Sequence, residues 1–447
     1  MKNLKKGKSK IKMFIQNHIV IVSILVLMII YYSIIRRFLI PSMSTVTIEL
    51  LIAGIAFVIV LYFLIALLIT GIITGIKSFN HKNKDDLNPW KKRLIKKTKL
   101  VLISICFLVL ITLISQYAAY TPPILDGSGN QIENSIATME KVTINNSEQY
   151  LTIRGHDKDN PVILFLAGGP GGTQLAATRD VLKDLEKNFV VVNWEQPGSS
   201  KSFKAVPIDE LSPEKYIEDG HGLTTYLKKR FNKEKIYVVG QSWGSALGIW
   251  LAEKYPEDYH VYIGSGQMVS FLDTEIYCYN KALEIAEKKG DTNTVKKLKE
   301  QGKPPYAENV SMQSATYLTY LFQDMARNPN INHTDHNTFK DIAGPEYGLW
   351  DKVNYFRALI VTFDQVYPQL YDIDFRKEVT EFEIPIYILH GRYDVNAPTE
   401  FVEEYYKLIK APYKELIWFE HSGHDNWIDE SDLFIEILND IQKQEYR

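Results

Sequence analysis

The chain has few cysteines: only two occur in 447 residues, Cys106 and Cys278. Cys106 lies in a long apolar run and Cys278 stands alone in the downstream part, so no disulfide can form within that part. A fold without disulfides needs no oxidising compartment, although it can function in one. We also find no internal repeat and no low-complexity tract.

The net charge is also small, −2, but it hides a strong asymmetry. Residues 1–99 carry 17 lysines and arginines against three acids, whereas the rest of the chain carries 34 bases against 50 acids. The basic part is therefore expected to lie against an anionic surface. The acidic part argues against nucleic acid as a partner.

Charged residues are absent from three long apolar runs, which predict membrane spans at about 14–35, 50–76 and 100–119. Each run is long enough to cross a hydrocarbon core of roughly 30 Å as a helix. A cleaved signal peptide is the alternative for the first run, but its apolar core is too long and no small-residue cleavage pattern follows it. We therefore predict a membrane region over residues 1–120.

The flanking charges predict the orientation of these spans. Six lysines precede the first span, and nine lysines and arginines lie between the second and third, whereas Arg36 and Arg37 are the only bases between the first and second. Basic flanks stay in the cytoplasm. We therefore predict a multi-pass cell-membrane protein with a cytoplasmic N-terminus and an extracytoplasmic C-terminal domain, its basic loop lying against the lipid headgroups.

The C-terminal part alternates strand-like and helix-like segments. After a Pro/Gly/Asn-containing linker, predicted over 121–139, eight short β-branched runs are separated mostly by amphipathic stretches within residues 140–447. This pattern predicts an α/β fold with a mostly parallel eight-stranded sheet covered on both faces. The interval of about 271–381 is strand-poor and helix-like, which predicts a helical cap over the site.

The segment Gly240-Gln241-Ser242-Trp243-Gly244 matches the G-x-S-x-G pattern of a nucleophile elbow. It follows the strand-like KIYVV and begins the helix-like SALGIWLAEKY, which is the context an elbow requires. Glycines are needed two positions either side because larger side chains would collide with neighbouring backbone. An ordinary strand–turn–helix junction is the alternative reading.

A serine nucleophile needs a base, and the base needs an acid to orient it. Asp394 and His424 each follow a predicted strand downstream of Ser242, where the carboxyl ends of parallel strands build α/β sites. His421 competes with His424 for the role of base, and Asp425 and Asp429 are weaker candidates for the acid. We expect His390 and Asp273 to be structural.

Backbone N–H groups of Trp243 and Gly169 are the predicted oxyanion donors, Gly169 lying in the glycine-rich turn LFLAGGPGGT. A phosphate-binding loop is the alternative for this turn, but neither G-x-G-x-x-G nor Gly-Lys-Ser/Thr is completed. His333 and His336 could suggest a metal site, although a solvated loop is the expected reading because no further ligand cluster accompanies them. No metal or organic cofactor is predicted.

Five segments in order, LAGGPGG, NWEQPGSSKS, GQSWGSALG, HGRYDVNAP and SGHD, resemble the α/β-hydrolases of the prolyl aminopeptidase (proline iminopeptidase) group over about residues 140–447. The resemblance implies the same triad and oxyanion donors. It also marks three departures. Ala167 replaces the usual histidine of the glycine turn, Glu195-Gln196-Pro197-Gly198 lacks the usual arginine, and the cap acids that hold a substrate amino group have no match, Glu275 being the nearest candidate.

These features together predict a membrane-anchored serine hydrolase that acts through an acyl enzyme. The leading hypothesis is a peptidase that releases an N-terminal residue of the proline type from short peptides. A carboxylester or lipid hydrolase of the cell envelope is the alternative within enzymes, and a non-catalytic receptor on a hydrolase fold is the alternative from another class. The expected partners are a small peptide or acyl substrate and the lipid bilayer.

Overall fold

The structure is a computed structural model, and it describes residues 19–38, 43–80, 88–334, 336 and 338–444. The chain forms two compact units. The first comprises the described residues up to Ala119 together with Ile342–Trp350, and the second comprises Tyr120–Asp341 and the residues from Asp351 onward.

The described residues up to Ala119 form three α-helices: α1 (Ile19–Ser33), α2 (Met43–Asn80) and α3 (Asn88–Tyr117). Within α2 and α3, the stretches Val46–Phe79 and Asn88–Tyr117 are long and apolar enough to cross a membrane. The predicted span at 14–35 begins outside the described residues, and its described part forms α1. The presence of three spans therefore stays a prediction.

The two ends of this helical unit are held by different contacts, an apolar cluster at one end and a lysine–tryptophan contact at the other. At one end, Met28 and Tyr32 of α1 pack with Ile111 of α3 and with Leu349. At the other end, the Lys77 ammonium of α2 lies 4.3 Å from the centre of the Trp90 ring of α3. The contact between Lys77 and Trp90 therefore lies at the end of the unit away from Leu349.

The second unit is built on a sheet of eight strands in the order β1-β2-β4-β3-β5-β6-β7-β8. The β1–β2 and β2–β4 pairs are antiparallel and the others are parallel, which confirms the predicted α/β fold with a mostly parallel eight-stranded sheet. The strands are β1 (Ile136–Ile144), β2 (Ser147–Gly155), β3 (Val162–Leu166), β4 (Val190–Glu195), β5 (Ile236–Gln241), β6 (Tyr259–Ser265), β7 (Ile386–Gly391) and β8 (Lys414–Phe419).

The central strands are buried on both faces, which explains their continuous apolar sequences. In β3 and β5, Leu164 and Val238 belong to the core on one face, whereas Ile163 and Val239 belong to the core on the other. The strand β1 begins at Ile136, inside the segment predicted as a linker. It is an edge strand with partly exposed residues, so its apolar run is shorter than the strand itself.

Helices cover both faces of the sheet and fill the interval between β6 and β7. Helices α4 (Leu175–Val181), α5 (Pro213–Phe231) and α6 (Trp243–Lys254) precede β6. The interval contains α7 (Phe271–Lys288), α8 (Thr292–Gln301), α9 (Val310–Met325), α10 (Thr338–Ala343), α11 (Leu349–Val366) and α12 (Phe375–Glu378). Helices α13 (Thr399–Leu408), α14 (Asn426–Asp429) and α15 (Ser431–Lys443) follow β7. Short 3₁₀ turns occupy Ile35–Phe38, Lys183–Lys187, Ser200–Ser202, Ile208–Glu210, Pro256–Asp258 and Tyr367–Leu370.

Candidate active site

Ser242 lies in the turn between β5 and α6 with a strained backbone, φ 55° and ψ −121°. This left-handed φ is uncommon for a residue with a side chain and holds the hydroxyl at the sheet edge. The neighbouring glycines are sterically required. A Cβ on Gly240 would lie 2.1 Å from the Gly244 carbonyl oxygen, and a Cβ on Gly244 would lie 2.1 Å from the Leu166 carbonyl oxygen. The local geometry is that of a nucleophile elbow.

Asp394 and His424 meet beyond the ends of β7 and β8. Nδ1 of His424 lies 2.8 Å from Oδ2 of Asp394, and both side chains are buried. The other carboxylate oxygen accepts N–H groups of Asn396 at 2.8 Å and Ala397 at 2.9 Å. With Nδ1–H donating to Asp394, Nε2 of His424 is left as the proton acceptor.

The charges of the pair are mutually stabilised. Burial alone would raise the pKa of Asp394, but the charge of His424 and the hydrogen bond to it outweigh burial and lower the pKa. Burial alone would lower the pKa of His424, but the Asp394 charge and hydrogen bond, with Asp425 and Asp429, raise it to about 9. Asp394 thus keeps its negative charge and favours the imidazolium form of His424.

The two predicted oxyanion residues belong to segments that adjoin Ser242. Trp243 is the first residue of α6, so its N–H has no acceptor within the helix. Gly169 has φ +133°, and the preceding Gly168 packs so closely that an added Cβ would lie 3.2 Å from Cβ of Ser242. The glycine turn and the helix start therefore border the same serine, as an oxyanion hole requires.

Gln196 connects these two segments, a role that the sequence did not suggest. Its amide donates to the Ala167 carbonyl at 3.0 Å, and its Oε1 accepts the indole N–H of Trp243 at 3.0 Å. The only sequence feature that could have drawn attention to Gln196 is its position in Glu195-Gln196-Pro197-Gly198, the segment that stands in place of the family's Asp-Gln-Arg-Gly. The side chain fixes the glycine turn relative to α6.

A cavity of about 630 Å³ opens over the serine. Ser242, Gly169 and His424 line it together with apolar side chains of the helical interval, namely Phe322 of α9 and Tyr355 and Leu359 of α11. The ring of Phe322 contacts His424 edge-on, with 6.2 Å between the ring centres. The predicted nucleophile, base and one oxyanion donor therefore share one substrate-sized space.

The competing site residues have other contacts. His421 is exposed, with Nδ1 3.3 Å from the Asn330 carbonyl oxygen. Asp425 accepts from Nε2 of Gln241 at 3.2 Å, and Asp429 accepts the Gly423 N–H at 3.0 Å. Asp394 is therefore the carboxylate that holds His424.

His390 and Asp273, which we expected to be structural, both contact other groups of the fold. Nε2 of the fully buried His390 lies 3.0 Å from the Ala397 carbonyl oxygen, in the turn that carries Asp394. Asp273 forms an ion pair with Arg376.

The expectation of a solvated loop at His333–His336 was wrong for His336. Its side chain is only 7% exposed, and Nε2 lies 2.7 Å from Oδ1 of Asp341. Both histidines line the cavity. Within the described residues, no group of three or more potential metal ligands is brought together.

Comparisons with known proteins agree with this fold. Residues 161–267 match the alpha/beta hydrolase fold family. "Probable aminopeptidase YbaC" of Bacillus subtilis (strain 168) is 30% identical over 312 residues, covering 69% of this chain and 96% of that protein. The chain belongs to the proline iminopeptidase-like α/β-hydrolases.

Two further comparisons give another similar relative of this hydrolase and a similar fold. A "Proline iminopeptidase" of Clostridium botulinum is 26% identical over 296 residues, covering 62% of this chain and 88% of that protein. The crystal structure of the proline iminopeptidase of Mycobacterium smegmatis superposes with a TM-score of 0.50 at 15% identity, covering 68% of this chain and 98% of that chain, which supports the fold.

Glu275, the nearest candidate for a cap acid in this hydrolase, lies in a closed hydroxyl cluster. Its carboxylate accepts from Ser314 at 2.8 Å, from Tyr367 at 2.9 Å and from Tyr317. The group is buried, and burial raises its pKa. These donors already use the carboxylate oxygens, so Glu275 is explained as a structural residue of the cap helices.

Proposed function

We propose that this α/β-hydrolase is a membrane-anchored serine peptidase that releases an N-terminal residue, of the proline type, from short peptides. The proposal rests mainly on one observation. His424, which is buried and hydrogen-bonded to Asp394, lines the same cavity as the strained Ser242. The names of the relatives, an aminopeptidase and a proline iminopeptidase, support a peptide as the substrate.

In the proposed mechanism, Oγ of Ser242 attacks the scissile carbonyl and transfers its proton to Nε2 of His424. Asp394 holds the imidazole in the required tautomer and stabilises the imidazolium. The N–H groups of Trp243 and Gly169 stabilise the oxyanion. His424 then protonates the leaving amine, and water, activated by the same imidazole, releases the acyl group from Ser242.

A fluorophosphonate probe tests this mechanism directly. We expect the full chain in detergent to be labelled, and Ser242→Ala to abolish labelling while the protein stays folded. A folded wild-type chain that is not labelled would instead favour a non-catalytic receptor on this fold.

The substrate class requires a second assay that compares proline arylamides with short-chain acyl esters. Hydrolysis of the arylamides, lost in Ser242→Ala, is the expected result. The two apolar helices would keep the domain beside the bilayer, and this favours a carboxylester or lipid hydrolase as the second candidate. Activity on esters alone would favour that candidate.

We also infer that the chain crosses the membrane three times, with the hydrolase domain outside the cytoplasm. Within the first unit, the Arg36 guanidinium donates to the carbonyls of Gly344, at 3.2 Å, and Tyr347. The Leu349 N–H donates to Oγ of Ser115, at the end of α3, at 2.8 Å. Arg36, after α1, and the end of α3 thus lie at the end that holds Ile342–Trp350, whereas Lys77 and the basic start of α3 lie at the other end, as the charge rule would require of a cytoplasmic flank.

Single-cysteine labelling tests this topology. A background chain without Cys106 and Cys278 would carry one new cysteine, at Ser78 in the predicted cytoplasmic loop or at Ser128 in the predicted extracytoplasmic part. In intact cells, a membrane-impermeant maleimide should label the variant at 128 but not the variant at 78. The reverse pattern would overturn the orientation.

A further inference from the structure

The cap helix α11 (Leu349–Val366) presents an exposed apolar face. Four of its large apolar side chains are 38% to 46% exposed: Phe356, Leu359, Ile360 and Val361. We propose that these four residues, the α11 face, dock into the extracytoplasmic leaflet of the lipid bilayer. The inference rests on the proposed membrane anchoring and goes beyond it, because it gives the hydrolase domain a membrane contact of its own.

The distribution of side chains around α11 is the reverse of that in an ordinary surface helix. Four polar residues on its inward side are at most 4% exposed: Asp351, Lys352, Asn354 and Thr362. Nζ of Lys201 pairs with Oδ2 of Asp351 at 2.6 Å. Oγ1 of Thr362 donates to the Gly198 carbonyl at 2.7 Å. A helix that borders water turns its apolar stripe inward and its charges outward, whereas a helix that borders lipid exposes the apolar stripe.

The helix α11 starts at the end of a predicted membrane span. Its first residues, Leu349 and Trp350, belong to the first unit. Within that unit, the Leu349 N–H donates to Oγ of Ser115 at 2.8 Å. The Trp350 N–H donates to Oε1 of Gln116 at 3.2 Å. Both acceptors lie in the last turn of α3, which is long and apolar enough to cross a membrane, so the start of α11 is fixed where the hydrocarbon core would meet the headgroups.

The polar and aromatic residues beside the α11 face suit the headgroup region. Trp350 is 42% exposed, and tryptophan is enriched at membrane–water interfaces. Arg357 is exposed next to Phe356 and provides a cation for anionic headgroups. No acidic residue of α11, a fully described helix, is exposed. A second copy of the chain could also cover an apolar face, but it would not explain why this face continues from a segment held to a span.

The α11 face also borders the cavity over Ser242. Leu359 belongs to the face and lines the cavity, and the buried Tyr355, one turn earlier, lines the cavity as well. Docking of the face would therefore bring this side of the cavity next to the bilayer.

Nitroxide accessibility in lipid vesicles tests the docking. Full-length chains without Cys106 and Cys278 would carry one spin-labelled cysteine, through Phe356→Cys or Ile360→Cys, in vesicles of phosphatidylcholine and phosphatidylglycerol. Collisions with oxygen, which concentrates in hydrocarbon, are compared with collisions with a water-soluble nickel chelate present on both sides of the membrane. The control is Lys288→Cys, because the Lys288 side chain is 73% exposed and pairs with Glu284, a contact expected in water. We expect the oxygen-to-nickel collision ratio at 356 and 360 to exceed the control by about threefold or more.

A second control separates the docking from the anchoring. Leu68→Cys places the label at an exposed position of the candidate span in α2. A lipid-like ratio at 68, together with the control ratio at 356 and 360, would overturn the docking while the anchoring stands. Low accessibility to both reagents at 356 and 360 would show a protein contact and would also overturn the docking. A water-like ratio at 68 would overturn the anchoring and this inference together, whereas fluorophosphonate labelling of the same vesicles tests the serine independently.

Discussion

Oδ2 of Asp394 lies 2.8 Å from Nδ1 of His424, although the two residues are carried by turns after different strands. The carboxylate is further fixed by two backbone N–H groups of its own turn. This pair can accept the Ser242 proton only if Nδ1 carries the hydrogen, because Nε2 is then free to act as the base.

The first prediction concerns that tautomer. Asp394→Asn keeps the shape of the side chain, but its amide can donate to Nδ1 and so favours the wrong tautomer of His424. We expect kcat on a proline arylamide to fall about 10⁴-fold. The control is Asp273→Asn, whose carboxylate pairs with Arg376 and should leave kcat within about twofold. Equal losses in the two variants would contradict the role of Asp394.

The second prediction concerns pH. His424 is buried, which lowers its pKa, but the negative charges of Asp394, Asp425 and Asp429 raise the pKa to about 9. Protonated His424 cannot accept the serine proton, so kcat/KM should rise with pH until about 9. The measurement is a pH profile of kcat/KM with an uncharged ester substrate. In Asp394→Asn one of these charges is lost, and the profile should move to lower pH. An identical profile in both enzymes would show that another group controls the rate.

The sequence was sufficient for features that depend on local pattern. Buried parallel strands require continuous apolar runs, so the central strands could be recognised individually. The elbow at Ser242 was recognisable because its glycines are imposed by backbone contacts only a few residues away. The order of strand ends then limited the acid and base to a few positions, including Asp394 and His424.

The remaining features depend on segments that are distant in sequence. Gln196 matters because it links Ala167 with Trp243, which lie 29 and 47 residues away from it in the chain. Glu275 could be judged only from the three hydroxyl groups around it, which come from two other helical segments. No periodicity or spacing in the sequence encodes such contacts, so the roles of these residues could not be predicted from the sequence.

The third prediction tests the steric basis of the elbow. A Cβ on Gly244 would meet the Leu166 carbonyl oxygen at 2.1 Å and the Ala167 carbonyl oxygen at 2.8 Å, and both are backbone atoms with little freedom to move. We expect Gly244→Ala to destabilise the fold by about 3 kcal/mol and to abolish fluorophosphonate labelling. Gly127→Ala is the matched control, since no atom lies within 4 Å of its added Cβ. Thermal unfolding of the two variants provides the comparison, and equal melting temperatures would show that the turn can relax.

The last prediction concerns a buried ion pair in the helical unit. Nε of Arg36 lies 3.2 Å from Oε1 of Glu49, and the two side chains are 4% and 0% exposed. The same guanidinium donates to the carbonyls of Gly344 and Tyr347, so this pair holds the segment 342–350 against the helices of its unit. Glu49→Gln preserves the shape but leaves the Arg36 charge without its counter-charge.

Removing one partner of a buried pair costs more than the pair contributes, because the remaining charge stays desolvated. We expect Glu49→Gln to destabilise the helical unit by about 3 kcal/mol. Chemical denaturation of the full chain in mild detergent, followed by circular dichroism, measures the effect. Glu133→Gln removes an exposed carboxylate and should change stability by less than about 0.5 kcal/mol. If both variants unfold at the same denaturant concentration, Arg36 is solvated in the folded protein and does not fix the 342–350 segment through this charge pair.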